Sequence, residues 1–103
     1  MIERHTILIV DDEESLRKSL TMVLEGKFNV LTAKDGKEAL EAVQKKTVDL
    51  VLLDIRLPEI DGIEVLERIK QIDETIVVIM LTAVLTVNTA VQAMKRGAYD
   101  YIT

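Results

Sequence analysis

Five short β-branched apolar runs are each separated from the next by one segment of helical period. This alternation constrains the fold more than any other feature of the chain. The runs lie at Thr6 to Val10, Phe28 to Ala33, Asp49 to Leu53, Ile76 to Leu81 and Tyr99 to Ile102. Three are apolar almost throughout, which suits strands covered on both faces. Between them, Leu16, Leu20, Val23 and Leu24 recur on one helix face. So do Ala39, Leu40 and Val43, then Leu66 and Ile69, then Val87, Ala90, Val91 and Met94. Glu41 with Lys45 and Glu64 with Arg68 supply charges at helical spacing on the opposite faces. Asp35 followed by Glu38 reads as a helix N-cap with its capping-box partner. Gly26 and Gly97 stand where helices should end, and Pro58 and Gly62 bracket a loop. Strands joined through single helices pair in parallel by right-handed crossovers. The expectation is one α/β domain over residues 1–103, doubly wound about a parallel five-stranded sheet.

Composition closes off other classes. A chain of 103 residues suits one domain, and 49% apolar content is enough for a core. Cysteine is absent, so there is no disulfide framework, thiol nucleophile or thiolate metal site. The longest strongly apolar run, Ile76 to Leu81, falls far short of the ~20 residues that cross a bilayer. Ile7 to Val10 is too short for the core of a signal peptide, so a cytoplasmic protein is expected. The formal charge is −5 and the pI near 4.8, which argues against direct contact with nucleic acid. No membrane contact is expected either.

In an open parallel sheet, ligands bind beyond the carboxyl ends of the strands. The first strand ends in Asp11-Asp12, the third in Asp54 and the fourth in Thr82-Ala83. If these strands are neighbours, ~4.8 Å apart, Asp11, Asp12, Asp54 and Thr82 crowd one pocket. Two unit charges ~4 Å apart repel by ~4 kcal/mol at an effective dielectric of about 20. Either one carboxyl is protonated or a cation sits among them. An all-oxygen donor set without His or Cys points to Mg2+ or Mn2+. Such an ion leaves positions for phosphate oxygens, and a carboxylate such as Asp54 can form an aspartyl phosphate.

These residues resemble the receiver domain of bacterial two-component response regulators. The resemblance rests on Ile7-Leu8-Ile9-Val10-Asp11-Asp12-Glu13, Asp49-Leu50-Val51-Leu52-Leu53-Asp54, Leu57-Pro58 to Asp61-Gly62, Met80-Leu81-Thr82-Ala83 and Gly97-Ala98-Tyr99-Asp100-Tyr101-Ile102. The stretch Thr89 to Tyr101 is most similar to receivers of NtrC-class transcription activators. The resemblance implies a flavodoxin-like, CheY-like sheet of order 2-1-3-4-5. It implies that Asp54 accepts a phosphoryl group from a sensor histidine kinase. It implies that Asp12, Asp54 and the backbone carbonyl of Arg56 hold the metal, with Asp11 acting through water. Thr82 should hydrogen-bond a phosphoryl oxygen, helped by the Ala83 backbone N–H, and Tyr101 occupies an aromatic switch position. The implied partners are the kinase and a C-terminal output domain that controls transcription, with a homodimer as a further option.

One departure stands out. The family places a lysine directly after the Thr that closes strand five, and this chain stops at Thr103. The expectation is a C-terminally incomplete domain, lacking that lysine and the fifth helix. Apolar surface beside the first helix should then lie open.

Blander readings stand beside these. Asp11-Asp12 can be a solvated turn capping the first helix, and Thr82 a simple turn residue. Lys95 and Arg96 read as a solvated helix end, His5 as a surface residue and the methionines as core fillers. A phosphatase of the haloacid-dehalogenase type also uses a strand-end Asp with Mg2+. It needs a second Asp two residues on, where this chain has Arg56. A receiver that only binds proteins is a third reading. The leading one is a phospho-accepting switch and not a turnover enzyme.

Overall fold

The structure is a computed structural model, and it describes residues 4–81 and 87–102. The described residues form β1 (Thr6–Val10), α1 (Glu14–Leu24), β2 (Asn29–Ala33), α2 (Gly36–Lys45) and β3 (Leu50–Asp54). They continue as α3 (Gly62–Ile72), β4 (Val77–Leu81), α4 (Val87–Lys95) and β5 (Asp100–Ile102). The strands form one five-stranded sheet in the order β2-β1-β3-β4-β5, parallel at every pairing. This is the expected topology. Phe28, Asp49, Ile76 and Tyr99 precede their strands instead of opening them. Asp49 has a reason: its Oδ2 accepts the Thr6 N–H at 2.8 Å and so closes the mouth of β1.

The two faces of the sheet are covered unequally. Leu8, Val10, Val51, Leu53, Val78 and Met80 lie on one face and are fully buried. They pack with Ala39 and Val43 of α2 and with Ile63, Val65, Leu66 and Ile69 of α3. Burying aliphatic side chains of this size is worth ~1.5–3 kcal/mol each, and this layer anchors the fold. On the other face Leu50, Leu52, Val77, Ile79 and Leu81 are only half-buried. There α1 buries no residue fully.

Two sequence expectations need correction here. Val23 was placed on the inner face of α1 but is 77% exposed. In α4 two residues of the expected apolar stripe are turned outward: Val91 is 44% and Met94 45% exposed, while Ala90 is half-buried and Ala93 is buried. Ala93 is small enough to let α4 approach the layer closely. The methionines divide likewise, with Met80 buried and Met22 76% exposed.

The caps follow the sequence more closely. Asp35 Oδ1 accepts the Glu38 N–H at 2.9 Å, and Glu38 reaches back to the Lys34 N–H at 3.0 Å. Gly97 takes φ 104 just past α4, a conformation that favours glycine. Glu64 and Arg68 pair at 3.7 Å, whereas Glu41 and Lys45 do not pair. Arg96 is exposed at the end of α4, as expected, and also makes an ion pair. Its guanidinium pairs with Glu67 and ties α4 to α3. His5 is exposed, as expected. No helix among the described residues is long and apolar enough to cross a membrane.

Candidate phospho-acceptor and metal site

The parallel sheet brings the carboxyl ends of β1 and β3 side by side, with Val10 opposite Leu53. The next residues, Asp11 and Asp54, therefore emerge together. Asp11, Asp12 and Asp54 each offer a carboxylate oxygen, and these oxygens lie within 4.8 Å of one another. Asp11 is 4% exposed and is the one buried polar or charged residue among those described. Its backbone N–H donates to the Ala33 carbonyl at 3.1 Å, extending the ladder to β2. Its Oδ1 accepts the Glu13 N–H at 2.8 Å. The capping alternative for the acidic doublet thus takes a different form. Glu13 is the N-cap of α1 and makes no side-chain cap bond, while Asp11 folds its own turn.

Asp54 is half-buried, and its Oδ1 accepts the Arg56 N–H at 3.0 Å. That bond anchors one of the two carboxylate oxygens. Burial pushes the Asp54 carboxyl up to about 6; the Arg56 N–H opposes this, and the charges of Asp11 and Asp12 add to it. Asp12 is exposed. Among the described residues none of the three carboxylates forms an ion pair. An uncompensated cluster of carboxylate oxygens fits a hard divalent cation.

Beneath the site lies the loop from β3 to α3. The Gly62 N–H donates to the Ile55 carbonyl at 2.9 Å, folding the loop back on the end of β3. Asp61 caps α3, its Oδ1 accepting the Ile63 N–H at 2.6 Å. Glu59 holds φ 69, a left-handed conformation uncommon for a side chain of this kind.

The expected site residues are thus partly assembled. Asp11, Asp12 and Asp54 converge, and Arg56 lies beside them. Thr82 and Ala83 lie outside the described residues. Tyr101 is 41% exposed, beside an apolar groove lined by Ala90, Val91 and Met94. Two contributors escaped the sequence reading. Arg17 bonds the Asp11 carbonyl from α1, and Gly62 packs against the backbone of Asp54. The Pro58-to-Gly62 loop signal could have found the second; nothing in the sequence singles out Arg17.

The chain is similar to several known proteins. The family described as response regulator receiver domain matches residues 7–103. The transcriptional regulatory protein ZraR of Klebsiella oxytoca is 46% identical over 101 residues, covering 97% of this chain and 23% of that protein. The DNA-binding transcriptional regulator NtrC of Escherichia coli is 39% identical over 102 residues, covering 98% of this chain and 22% of that protein. The chain therefore spans under a quarter of these curated relatives. Among solved structures, a CheY-like receiver domain protein from Methanospirillum hungatei superposes with a TM-score of 0.94 at 31% identity, covering 97% of this chain and 81% of the other.

Proposed function

This chain belongs to the response regulator receiver domain family, and on that premise we propose that Asp54 accepts a phosphoryl group from a sensor histidine kinase. The supporting observation is the convergence of the Asp11, Asp12 and Asp54 carboxylates within 4.8 Å at the carboxyl ends of β1 and β3. Asp12, Asp54 and the Arg56 carbonyl would hold a divalent cation, Mg2+ or Mn2+, with Asp11 acting through water. Bound there, the cation would offset negative charge on the phosphoryl oxygens. The Arg56 N–H orients the Asp54 carboxylate, so the oxygen that attacks phosphorus is the one it leaves free. Thr82 and the Ala83 N–H would bond the phosphoryl oxygens, and Tyr101 would pack inward as Thr82 shifts.

Residues 1–103 are read as one receiver unit, a phospho-accepting switch and not a turnover enzyme. Its relatives are transcriptional regulators, so the surface that phosphorylation resets would act on a transcription-controlling output domain. A cytoplasmic setting follows from a kinase partner and an output at the gene. A homodimer would be one way to convey the signal.

The test uses phosphoramidate and Mg2+. The Asp54 oxygen forms a bond to phosphorus, the P–N bond breaks, and ammonia leaves. Mass spectrometry should find one phosphoryl group, stable to acid and labile to hydroxylamine, on Asp54. A label on Ser, Thr or Asp11, or labelling that survives EDTA, rejects the reading.

A further inference from the structure

We propose that Arg17 is a positioning residue for the cation site, acting through the Asp11 carbonyl. The consequence for function rests on the phospho-acceptor reading above; the effect on cation binding does not depend on a kinase or on transfer.

Asp12 is exposed, and among the described residues its carboxylate has neither an ion pair nor a hydrogen bond. Nothing on the side chain itself fixes where it points, so its position depends on the backbone to either side. The Asp11 N–H reaches the Ala33 carbonyl at 3.1 Å, and the Glu13 N–H reaches Asp11 Oδ1 at 2.8 Å. A side chain of α1 adds a further bond on the Asp11 side: Arg17 Nη1 donates to the Asp11 carbonyl at 2.7 Å. That carbonyl belongs to the Asp11–Asp12 peptide. Because the peptide is planar, fixing the carbonyl fixes the plane from which the Asp12 Cα and side chain depart.

A second observation gives this bond more weight. The N-cap of α1, Glu13, makes no side-chain cap bond, so the usual device for fixing a helix entry is missing. Arg17 is also held at its own backbone. Its N–H donates to the Glu13 carbonyl at 3.2 Å, and its carbonyl accepts the Thr21 hydroxyl at 2.7 Å. The side chain therefore spans the acidic turn from a fixed point on α1. It converts the rigidity of the helix into a fixed orientation of the Asp11–Asp12 peptide. Preorganised ligands bind more tightly because less freedom is lost on binding.

Two opposed effects separate positioning from charge. Removing a cation near a metal site should tighten Mg2+ binding if Arg17 acts only through its charge. Removing a positioning bond should weaken it. Arg17→Met is expected to weaken Mg2+ binding about tenfold, the low end for loss of a group that orients a ligand. Arg17→Lys, which keeps the charge and a donor, should recover most of the loss. Lys18→Met serves as a charge control, because Lys18 is exposed on the next residue and pairs with Glu14 at 3.2 Å. It should leave Mg2+ affinity within about twofold of wild type. Affinity is read by calorimetry below the melting temperature of each variant, so loss of fold stability alone does not enter. In phosphoramidate labelling, Arg17→Met should raise the Mg2+ concentration for half-maximal rate and keep the rate at saturating Mg2+. Tighter or unchanged Mg2+ binding in Arg17→Met overturns the proposal, as does a Lys18→Met loss of equal size. If the wild type binds Mg2+ but is not labelled on Asp54, the phospho-acceptor reading fails while the positioning role stands. If the wild type binds no Mg2+, both fail.

Discussion

Gly62 lies against the carbonyl of Asp54 so closely that a Cβ at Gly62 would fall 2.3 Å from that oxygen. The same Cβ would meet the Ile55 Cα at 2.7 Å and its carbonyl oxygen at 2.8 Å. All three are backbone atoms, so no side-chain rotation can relieve the contact. The first turn of α3 is thereby pressed under the residue proposed to carry the phosphoryl group.

Gly62→Ala should therefore disturb the site as well as the fold. The expected cost is about 3 kcal/mol, the upper range for overpacking a filled space. Urea denaturation measures it. The variant should also lose Mg2+ affinity, because the end of β3 must move. A loss under ~0.5 kcal/mol with Mg2+ binding intact would show that the loop yields freely.

Mg2+ should stabilise the chain by mass action, by ~2.7 kcal/mol at one hundred times Kd, and so raise its melting temperature. Asp12→Ala and Asp54→Ala should each remove that response. Differential scanning calorimetry with and without EDTA reads the shift. If both variants respond as the wild type does, the ion binds elsewhere.

Without metal, stability should fall as pH rises across the range set by Asp54. Its carboxyl lies near 6 in the folded chain, against an ordinary 3.8. The folded state thus holds this proton more tightly than the unfolded one. The stabilisation is full below about 3.8 and is lost as pH passes about 6. The loss should be about 1–2 kcal/mol, after discounting for solvent around a half-buried group. Denaturation in EDTA between pH 4 and about 7 should show this slope. Asp54→Asn should flatten it and raise stability above pH 6, since the cost of burying the Asp54 charge is removed, and with it the repulsion from Asp11 and Asp12.

Glu59→Gly should stabilise the chain. Glu59 sits at φ 69, where a side chain costs ~1–2 kcal/mol and glycine pays no such penalty. Glycine's greater freedom when unfolded offsets part of this, leaving a gain of about 0.5–1 kcal/mol. Thermal melts of the variant and wild type decide it. A lower melting temperature would mean that the Glu59 side chain makes up for its backbone.

Much of the fold was legible because local rules govern it. Short β-branched apolar runs and period-3.6 patterns located the elements to within a residue or so at the strand starts. The Asp35–Glu38 cap and the Gly97 helix end were visible because each depends on residues close in sequence. Asp11, Asp12 and Asp54 were legible as a cluster once the strand order implied by the family resemblance was applied. That order brings the ends of β1 and β3 together whatever else the chain does.

What escaped the sequence depends on which surfaces meet. The α4 pattern of Val87, Ala90, Val91 and Met94 is amphipathic by spacing, but periodicity names a stripe and not its direction. Ala93 is the α4 residue that enters the layer beneath, and Val91 and Met94 are left outward. Val23 is apolar, yet α1 buries none of its residues fully, so hydrophobic character alone did not place it inside. The Arg17 bond to the Asp11 carbonyl and the seat of Gly62 under Asp54 join residues by distance in space. The sequence by itself determined the class of fold and the residues that carry charge to one end of the sheet. Only the tertiary structure decided which backbone groups hold those charges in place, because packing acts between surfaces and a linear pattern records only one of them.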